Sequence, residues 1–164
     1  MREQGSWSSE THLQKCVYVL TAGLGVPLNL NFILYKHGPF SFDLRATLGE
    51  MLGNLLIEAE PHPPYGPSLR PTESGTRLLA RFPKTIQQYS PAISFVSEKL
   101  AKRDVAELER LGTALYVTRE RPGTSIENRA SQIVELKQHV KPELALKAVA
   151  EMDELLAAAP INVQ

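Results

Sequence analysis

Glycine and proline divide the first half of this chain into short apolar segments, and this division is the strongest constraint on its fold. After a cluster of serine and threonine residues that can cap a helix, apolar residues recur at helical spacing at Leu13, Val17, Leu20 and Leu24. Gly23, Gly25 and Pro27 are typical of the end of that helix. Leu28 to Tyr35 fits either a short helix or a strand, because the segment is too short for periodicity to decide.

A Gly-Pro pair, Gly38 and Pro39, predicts a turn in front of a second helix. Phe42 to Ile57 carries apolar residues on one helical face, so we expect that face to be largely packed. Residues 62–66 form a turn-rich loop between two extended stretches, which predicts a β-hairpin with edges blunted by proline. Thr72 then caps a helix that runs through Leu79.

The second half of the chain predicts a helical bundle. Ser97 to Val117 has near-helical apolar spacing, and Thr124 and Glu127 are spaced as in a capping box that opens a helix to Val140. Pro142 fits the first position of a last helix, Glu143 to Ala158.

The predicted fold class is therefore mainly α with one small β-hairpin, a winged-helix-like N-terminal unit followed by a C-terminal bundle of about three helices. The predicted division is a flexible N-terminus at residues 1–10, one compact domain at residues 11–158 and a tail at residues 159–164. Within the domain, residues 11–82 form the winged-helix-like unit and residues 83–158 form the bundle.

Composition limits the classes of function. The chain has 164 residues, of which 43% are hydrophobic, enough for a proper core. Lys and Arg together number 18, as do Asp and Glu, so the excess positive charge of a dedicated nucleic-acid or anionic-membrane binder is missing. The single cysteine, Cys16, fits a reducing compartment and an apolar helical face. Without a membrane-spanning run or a signal-peptide pattern, we predict a soluble cytoplasmic protein with no membrane partner.

The most distinctive motif is Lys-His-Gly-Pro-aromatic-Ser-x-Asp-Leu at residues 36–44, preceded by LQKCVY at residues 13–18. PTESG at residues 71–75 and VELKQHV at residues 134–140 complete the pattern. On these segments the chain resembles the YwgA-like relatives of the Panacea domain, which is also found in SocA-type antitoxins and phage-associated proteins. As a class, Panacea domains are associated with neutralising protein toxins, so the resemblance implies an antitoxin-like or phage-related regulator whose partner is a toxin.

The same motif gives the candidate binding residues, together with one residue of the hairpin loop: Lys36, His37, Gly38, Pro39, Phe40, Ser41, Asp43 and Tyr65. A Gly-Pro turn at a helix start exposes backbone N–H groups to an anion or to a carboxylate of a partner. A structural interpretation competes and is preferred. In it, Gly38-Pro39 sets the chain direction, Phe40 and Phe42 fill the core, and Ser41 with Asp43 caps the helix.

The first alternative is a DNA-binding transcriptional regulator, with Phe42 to Ile57 as recognition helix and the hairpin as wing. Its candidate contacts are the basic residues Arg45, Arg70, Arg77, Arg81 and Lys84. The charges of the helix argue against it, because Asp43, Arg45 and Glu50 sum to minus one. Met1 to Ser90 contains eight basic and seven acidic residues, so this half supplies no basic footprint.

Metal and hydrolytic chemistry have little support, because the four histidines lack metal-ligand spacing. The acidic pairs Glu58/Glu60 and Glu107/Glu109 are interpreted as solvated faces or strand edges. We predict no catalytic residue, no cofactor and no metal. An enzyme of unrecognised type is the second alternative, and it would need a pocket with converging polar groups near Lys36, His37 or Asp43.

Our prediction is a non-enzymatic protein–protein interaction module. A further set of aromatic residues along and after the hairpin offers either an exposed patch or ordinary packing onto the bundle, and packing is slightly preferred: Tyr65, Phe82, Tyr89 and Phe95.

Overall fold

The computed structural model describes residues 9–62 and 65–160. In this part of the chain there are seven α-helices: α1 (Glu10–Tyr18), α2 (Phe42–Gly53), α3 (Glu73–Leu79), α4 (Pro83–Leu100), α5 (Val105–Glu120), α6 (Ile126–Leu136) and α7 (Pro142–Ala158). A π-helical turn, Val19–Gly23, continues α1. Four strands form two antiparallel hairpins, β1 (Ile33–Tyr35) with β2 (Gly38–Phe40) and β3 (Ile57–His62) with β4 (Tyr65–Pro71). The predicted class, mainly α with a small β component, is confirmed.

The first hairpin, β1–β2, adds to the single hairpin that the sequence predicted. Its turn is Lys36 and His37, so the prediction that Gly38-Pro39 forms the turn is wrong. Gly38 follows the turn with a φ of 87°, a left-handed conformation that costs glycine least because it has no Cβ. Pro39 is then the central residue of β2, where it pairs with Leu34.

Helix α2 is shorter than predicted. It ends at Gly53, because Leu55 takes a left-handed φ of 55° that a helix cannot contain. Of the predicted apolar face, Leu44 is buried, whereas the Leu55 side chain is 71% exposed. The expectation that this face is largely packed therefore fails at its C-terminal end.

The predicted Ser97 to Val117 helix is in fact the end of α4 and most of α5, separated by residues 101–104. The rest of α4, from Pro83 onward, was not predicted. Pro91 lies inside α4, and a proline there hides the helix from pattern analysis. The capping box belongs to Asp104 and Glu107 at the start of α5. At α6 the cap is Ser125 instead of the predicted Thr124, and the helix ends at Leu136 instead of Val140.

Other local predictions are confirmed. Ser41 and Thr72 cap α2 and α3 through side-chain hydrogen bonds, and Pro142 begins α7. Of the predicted flexible N-terminus, residues 1–8 lie outside the described residues, whereas Ser9 caps α1 and Glu10 begins it. Of the predicted tail, residues 161–164 also lie outside.

The core lies around α5. This helix contacts α1, α6, α7 and β2, and the π-helical turn packs against both α4 and α5. The most deeply buried apolar side chains come from successive elements along the chain: Val19, Val96, Leu115, Ile133 and Met152. Cys16 belongs to this core, as predicted, and burial raises the pKa of its thiol to about 12. None of the helices in the described part of the chain is long and apolar enough to cross a membrane.

Candidate functional site

Hairpin β1–β2 is seated between α1 and α5, and this seat defines the candidate site. Gly38 and Pro39 are buried there. A Cβ atom added to Gly112 of α5 would lie 2.9 Å from Cδ of Pro39, and one added to Gly38 would lie 3.3 Å from the Glu109 carbonyl oxygen. The small residues therefore allow the hairpin and α5 to approach closely.

The segment after the hairpin is held by a buried glutamine. The Gln14 amide donates to the Ser41 carbonyl oxygen at 3.0 Å and accepts from the Ser41 backbone N–H at 2.8 Å. Gln14 and Ser41 are both fully buried, so water does not compete for these hydrogen bonds. Asp43 accepts hydrogen bonds from the backbone and side-chain nitrogens of Asn31 at 3.0 and 3.1 Å.

These contacts account for part of the structural interpretation of the motif. The Ser41 N–H donates to Gln14 and the Leu44 N–H donates to Ser41 Oγ, so these two N–H groups at the helix start are already paired. The capping role of Ser41 is confirmed. The prediction that Phe42 fills the core is wrong, because Phe42 at the first position of α2 is 54% exposed.

A charge cluster, which we define as Lys15, Glu109 and Lys137, lies under the hairpin. The carboxylate of Glu109 lies 3.4 Å from Lys137 Nζ, and the two side chains are 8% and 7% exposed. The residue Lys15 is 3% exposed. At the rim, His139 Nε2 and His37 Nδ1 lie 3.4 and 3.9 Å from the Glu109 carboxylate.

Glu109 corrects a sequence prediction, because its pairing with Glu107 had suggested a solvated face. Leu108, Leu111 and Leu115 mark the side of α5 that faces the bundle. Glu109 lies on the neighbouring side, where hairpin β1–β2 packs against it and Lys137 pairs with its carboxylate. The sequence carried no signal for that cover.

Lys137 joins the end of α6 to the hairpin turn. Its ammonium donates to the carbonyl oxygens of Tyr35 and Lys36, both at 2.6 Å. Charge-assisted bonds of this kind are worth roughly 1.5–3 kcal/mol each. The turn of the candidate motif therefore presents two carbonyl oxygens to a buried cation of its own chain.

The electrostatics of Lys15 differ from those of a surface lysine. Burial lowers the pKa of its ammonium to about 8, an effect that Glu109 partly opposes and Lys137 reinforces. Between about pH 8 and the ordinary value of 10.5, the unfolded chain keeps a proton here that the folded chain loses. Stability attributable to Lys15 therefore rises with pH across that window.

We expect Lys15→Met to raise the free energy of unfolding by about 2 kcal/mol near pH 7, because methionine removes a charge whose desolvation the fold must overcome. The gain should shrink as pH rises from about 8 to 10.5, as Lys15 loses its proton in the folded state. Urea denaturation of both proteins across this range measures it. Burial also raises the pKa of Cys16 and of Tyr18. Their contributions to the pH dependence are the same in both proteins, so they cancel in the difference between the two unfolding free energies.

Lys147→Met is the matched control, since it removes the same charge from an exposed position on α7. If the difference in unfolding free energy between Lys15→Met and the original chain stays constant from pH 7 to 10.5, the lowered pKa of Lys15 is contradicted.

A small pocket of about 210 Å³ lies against this seat, between α1 and the hairpin. Its wall includes Lys15, Tyr35, Lys36, His37, Phe40 and Arg45. A wider open groove of about 1050 Å³ runs from α1 and α2 to the second hairpin and the start of α5. Glu10, Thr11 and Arg45 line both, so the two depressions adjoin.

Beside the small pocket is an aromatic patch, which we define as Tyr35, Phe40 and Phe42. The ring centroids of Phe40 and Phe42 are 5.0 Å apart, and that of Tyr35 lies 5.7 Å from Phe40 and 6.0 Å from Phe42. The Arg45 guanidinium lies 5.3 Å above the Phe40 ring, within cation–π range. Tyr35 is 45% exposed, so a chain of rings reaches the surface.

Most of the candidate DNA contacts are engaged in ion pairs. Arg45 pairs with Glu10 at 3.0 Å, Arg70 pairs with Glu58 and lies 3.8 Å from Glu60, and Arg77 pairs with Glu73 at 2.6 Å. Arg81 and Lys84 are exposed on either side of the α3–α4 junction. The positive charge of the five candidate contacts is therefore partly neutralised by the ion pairs of Arg45, Arg70 and Arg77.

The remaining aromatic candidates separate into two groups. Tyr89 and Phe95 are half-buried against the core, which is the packing preferred for them. Phe82 is 53% exposed beside α4, so the prediction that it packs onto the bundle is wrong. Tyr65 begins β4 at the tip of the second hairpin, a sheet separate from the one that carries the Lys36 motif.

Within residues 9–62 and 65–160, no group of three or more His, Cys, Asp or Glu side chains is placed to hold a metal ion. A comparison with models of known protein families finds no match for this chain, and a comparison with curated proteins finds none.

Proposed function

We propose that this chain is a non-enzymatic, cytoplasmic protein-binding module that contacts its partner through the aromatic patch. The observation that carries the proposal is the contiguity of Tyr35, Phe40 and Phe42 at the surface, with Arg45 stacked on Phe40. Tyrosine, phenylalanine and arginine are the residue types in which interface cores are enriched, and tyrosine and arginine recur among binding hot spots.

The patch is also rigidly presented. Phe40 follows the buried Pro39 of β2, and Phe42 follows Ser41, which Gln14 holds on both sides of its peptide unit. A preorganised surface loses little conformational entropy on binding. The adjoining groove of about 1050 Å³ gives a partner room to extend beyond the patch.

An antitoxin-like or phage-related role, with a toxin as partner, is the form of this proposal that the Panacea resemblance supports. Three of the segments that carry the resemblance meet at the candidate site. Gln14 is hydrogen-bonded to Ser41, and Lys137 is hydrogen-bonded to the carbonyl oxygens of Tyr35 and Lys36. The winged-helix-like description of residues 11–82 is part of the same proposal, and the element order helix, hairpin, helix, hairpin, helix supports it.

The DNA-binding alternative ranks lower, because Arg45, Arg70 and Arg77 are ion-paired within the chain. Titration of random duplex DNA at low salt, followed by fluorescence anisotropy, separates the two. The enzyme alternative keeps one support, since the small pocket brings Lys15, His37 and Arg45 together near the Lys36 motif.

To test protein binding, the tagged chain is used to recover partners from its native host under gentle conditions, beside a Phe42→Ala variant. We expect a stoichiometric partner whose affinity, measured afterwards with purified proteins, falls at least about tenfold in Phe42→Ala, because a central aromatic anchor is lost. Phe82→Ala is the matched control, since Phe82 is 53% exposed and Phe42 is 54% exposed.

Equal affinity of both variants and the original chain would remove the aromatic patch as the contact surface. Recovery of no stoichiometric partner would contradict the module itself.

A further inference from the structure

The lining of the small pocket carries a surplus of positive charge. Its lining holds three cationic side chains, Lys15, Lys36 and Arg45, against a single carboxylate, Glu10, whereas the whole chain has a net charge of zero. His37 adds a ring nitrogen at the mouth, where its side chain is 71% exposed. A concave site with this balance attracts anions.

Lys15 is the most informative member of the lining. The residue is 3% exposed, yet its side chain forms part of the pocket wall. Among the described residues, no hydrogen bond or ion pair engages its ammonium, and this nitrogen is not one of the fully buried polar atoms that lack a partner, so it faces the pocket. Its three donors are therefore available to a bound group.

The neighbouring buried charges do not cancel this potential. Glu109 lies behind the hairpin and outside the pocket lining, where Lys137 pairs with it at 3.4 Å. Arg45 Nε lies 3.0 Å from a carboxylate oxygen of Glu10, so the charge of Arg45 at the pocket edge is partly balanced. Lys15 and Lys36 therefore supply the surplus positive charge of the pocket, because Glu109 compensates Lys15 only in part.

The shape of the pocket limits the ligand. A volume of about 210 Å³ is below the range of drug-sized sites, so it admits a small anionic head with a short body. Tyr35 and Phe40 form one side of the opening, and their rings offer an apolar contact for that body.

We propose that the small pocket is a binding site for an oxyanion group, the carboxylate or phosphate of a small ligand, with Lys15 as its buried counter-charge and Lys36 and His37 at its mouth. This site is independent of the proposed protein-binding role, since it requires only the pocket and its lining. Because Tyr35 and Phe40 belong both to the pocket wall and to the aromatic patch, a bound ligand would lie directly beside the surface offered to a partner.

The test uses phenyl phosphate as probe, with inorganic phosphate beside it, in calorimetric titrations at pH 7 and low ionic strength. We expect saturable binding at one site, tighter for phenyl phosphate because its ring contacts Tyr35 and Phe40. Lys15→Met should weaken it at least about tenfold, as loss of a buried charge-assisted hydrogen bond does. Lys147→Met, an exposed lysine outside the pocket, should leave the affinity unchanged.

Two further measurements keep the test decisive. Near pH 8, binding should be accompanied by proton uptake, because an anion beside Lys15 raises the pKa of its ammonium. Lys36→Met, which leaves the backbone acceptor for Lys137 in place, should also weaken binding, and this second variant tests the pocket without a change at Lys15.

A short peptide with one glutamate, titrated in competition, distinguishes a protein side chain from a free small molecule as the source of the anion. Non-saturable binding, or binding that is equal in Lys15→Met, Lys36→Met and Lys147→Met, would overturn the proposal. Either result would leave the protein-binding role to its own test with Phe42→Ala.

Discussion

Replacing Glu109 by glutamine is expected to lower the free energy of unfolding by about 4 kcal/mol, since removal of one partner leaves the other buried charges uncompensated. Glutamine preserves the shape of the side chain, so packing against the hairpin is retained and the charge alone is lost. Lys15 and Lys137 would then share the space under the hairpin without an anion. Chemical denaturation at pH 7 measures the loss.

The matched control is Glu120→Gln, an exposed glutamate at the end of the same helix, for which a change within about 0.5 kcal/mol is expected. Adding Lys15→Met to Glu109→Gln should recover part of the loss, because one of the two uncompensated cations is removed. Equal losses in Glu109→Gln and Glu120→Gln would show that the charge cluster contributes nothing.

Gly75→Ala is expected to destabilise the fold by about 3 kcal/mol, at the upper end of the cost of overpacking. A Cβ atom at Gly75 would lie 2.0 Å from the backbone oxygen of Leu56, so the backbone itself would have to move. That oxygen cannot shift without loss, since it accepts from the backbone N–H and the hydroxyl of Thr72 at 3.0 and 3.2 Å. Thermal and urea denaturation both report the change.

Gly49→Ala provides the comparison within a helix. Apart from its chain neighbours and the backbone of α2 itself, nothing lies within 4 Å of a Cβ added at Gly49, so alanine there should stabilise α2 by about 0.5–1 kcal/mol through its lower conformational entropy in the unfolded chain. If both alanine variants shift stability in the same direction, the close approach of α3 to residue 56 is not the reason that residue 75 is glycine.

Local chemistry explains why parts of the fold were predictable. The caps of α2 and α3 and the start of α7 were found because Ser41, Thr72 and Pro142 act within one turn of their own position. Helix α4 was missed because Pro91 in its interior contradicts a local rule that tertiary packing overrides. Hairpin β1–β2 was missed because two strands of three residues each carry too little pattern to be distinguished from a turn.

The candidate site was half predictable for the same reason. Residues 36–43 stood out in the sequence, but the motif's meaning changed once Gly38 and Pro39 were found packed against α5 and Phe42 was found exposed. Glu109 and Lys137 gave no local sign of burial, since each lies on a helix or helix end whose own pattern fits a solvated position. Their burial depends on a hairpin that lies far away in the chain.

The sequence by itself thus determined the mainly helical class, several helix caps and the importance of the Lys36 motif, because apolar periodicity and capping act over a few residues. The tertiary structure alone decided that Lys15, Glu109 and Lys137 lie together under hairpin β1–β2. It also decided that the rings of Tyr35, Phe40 and Phe42 form one patch at the surface. The physical reason is that desolvation and ion pairing depend on which distant surfaces cover a side chain, and no short segment of sequence records that cover.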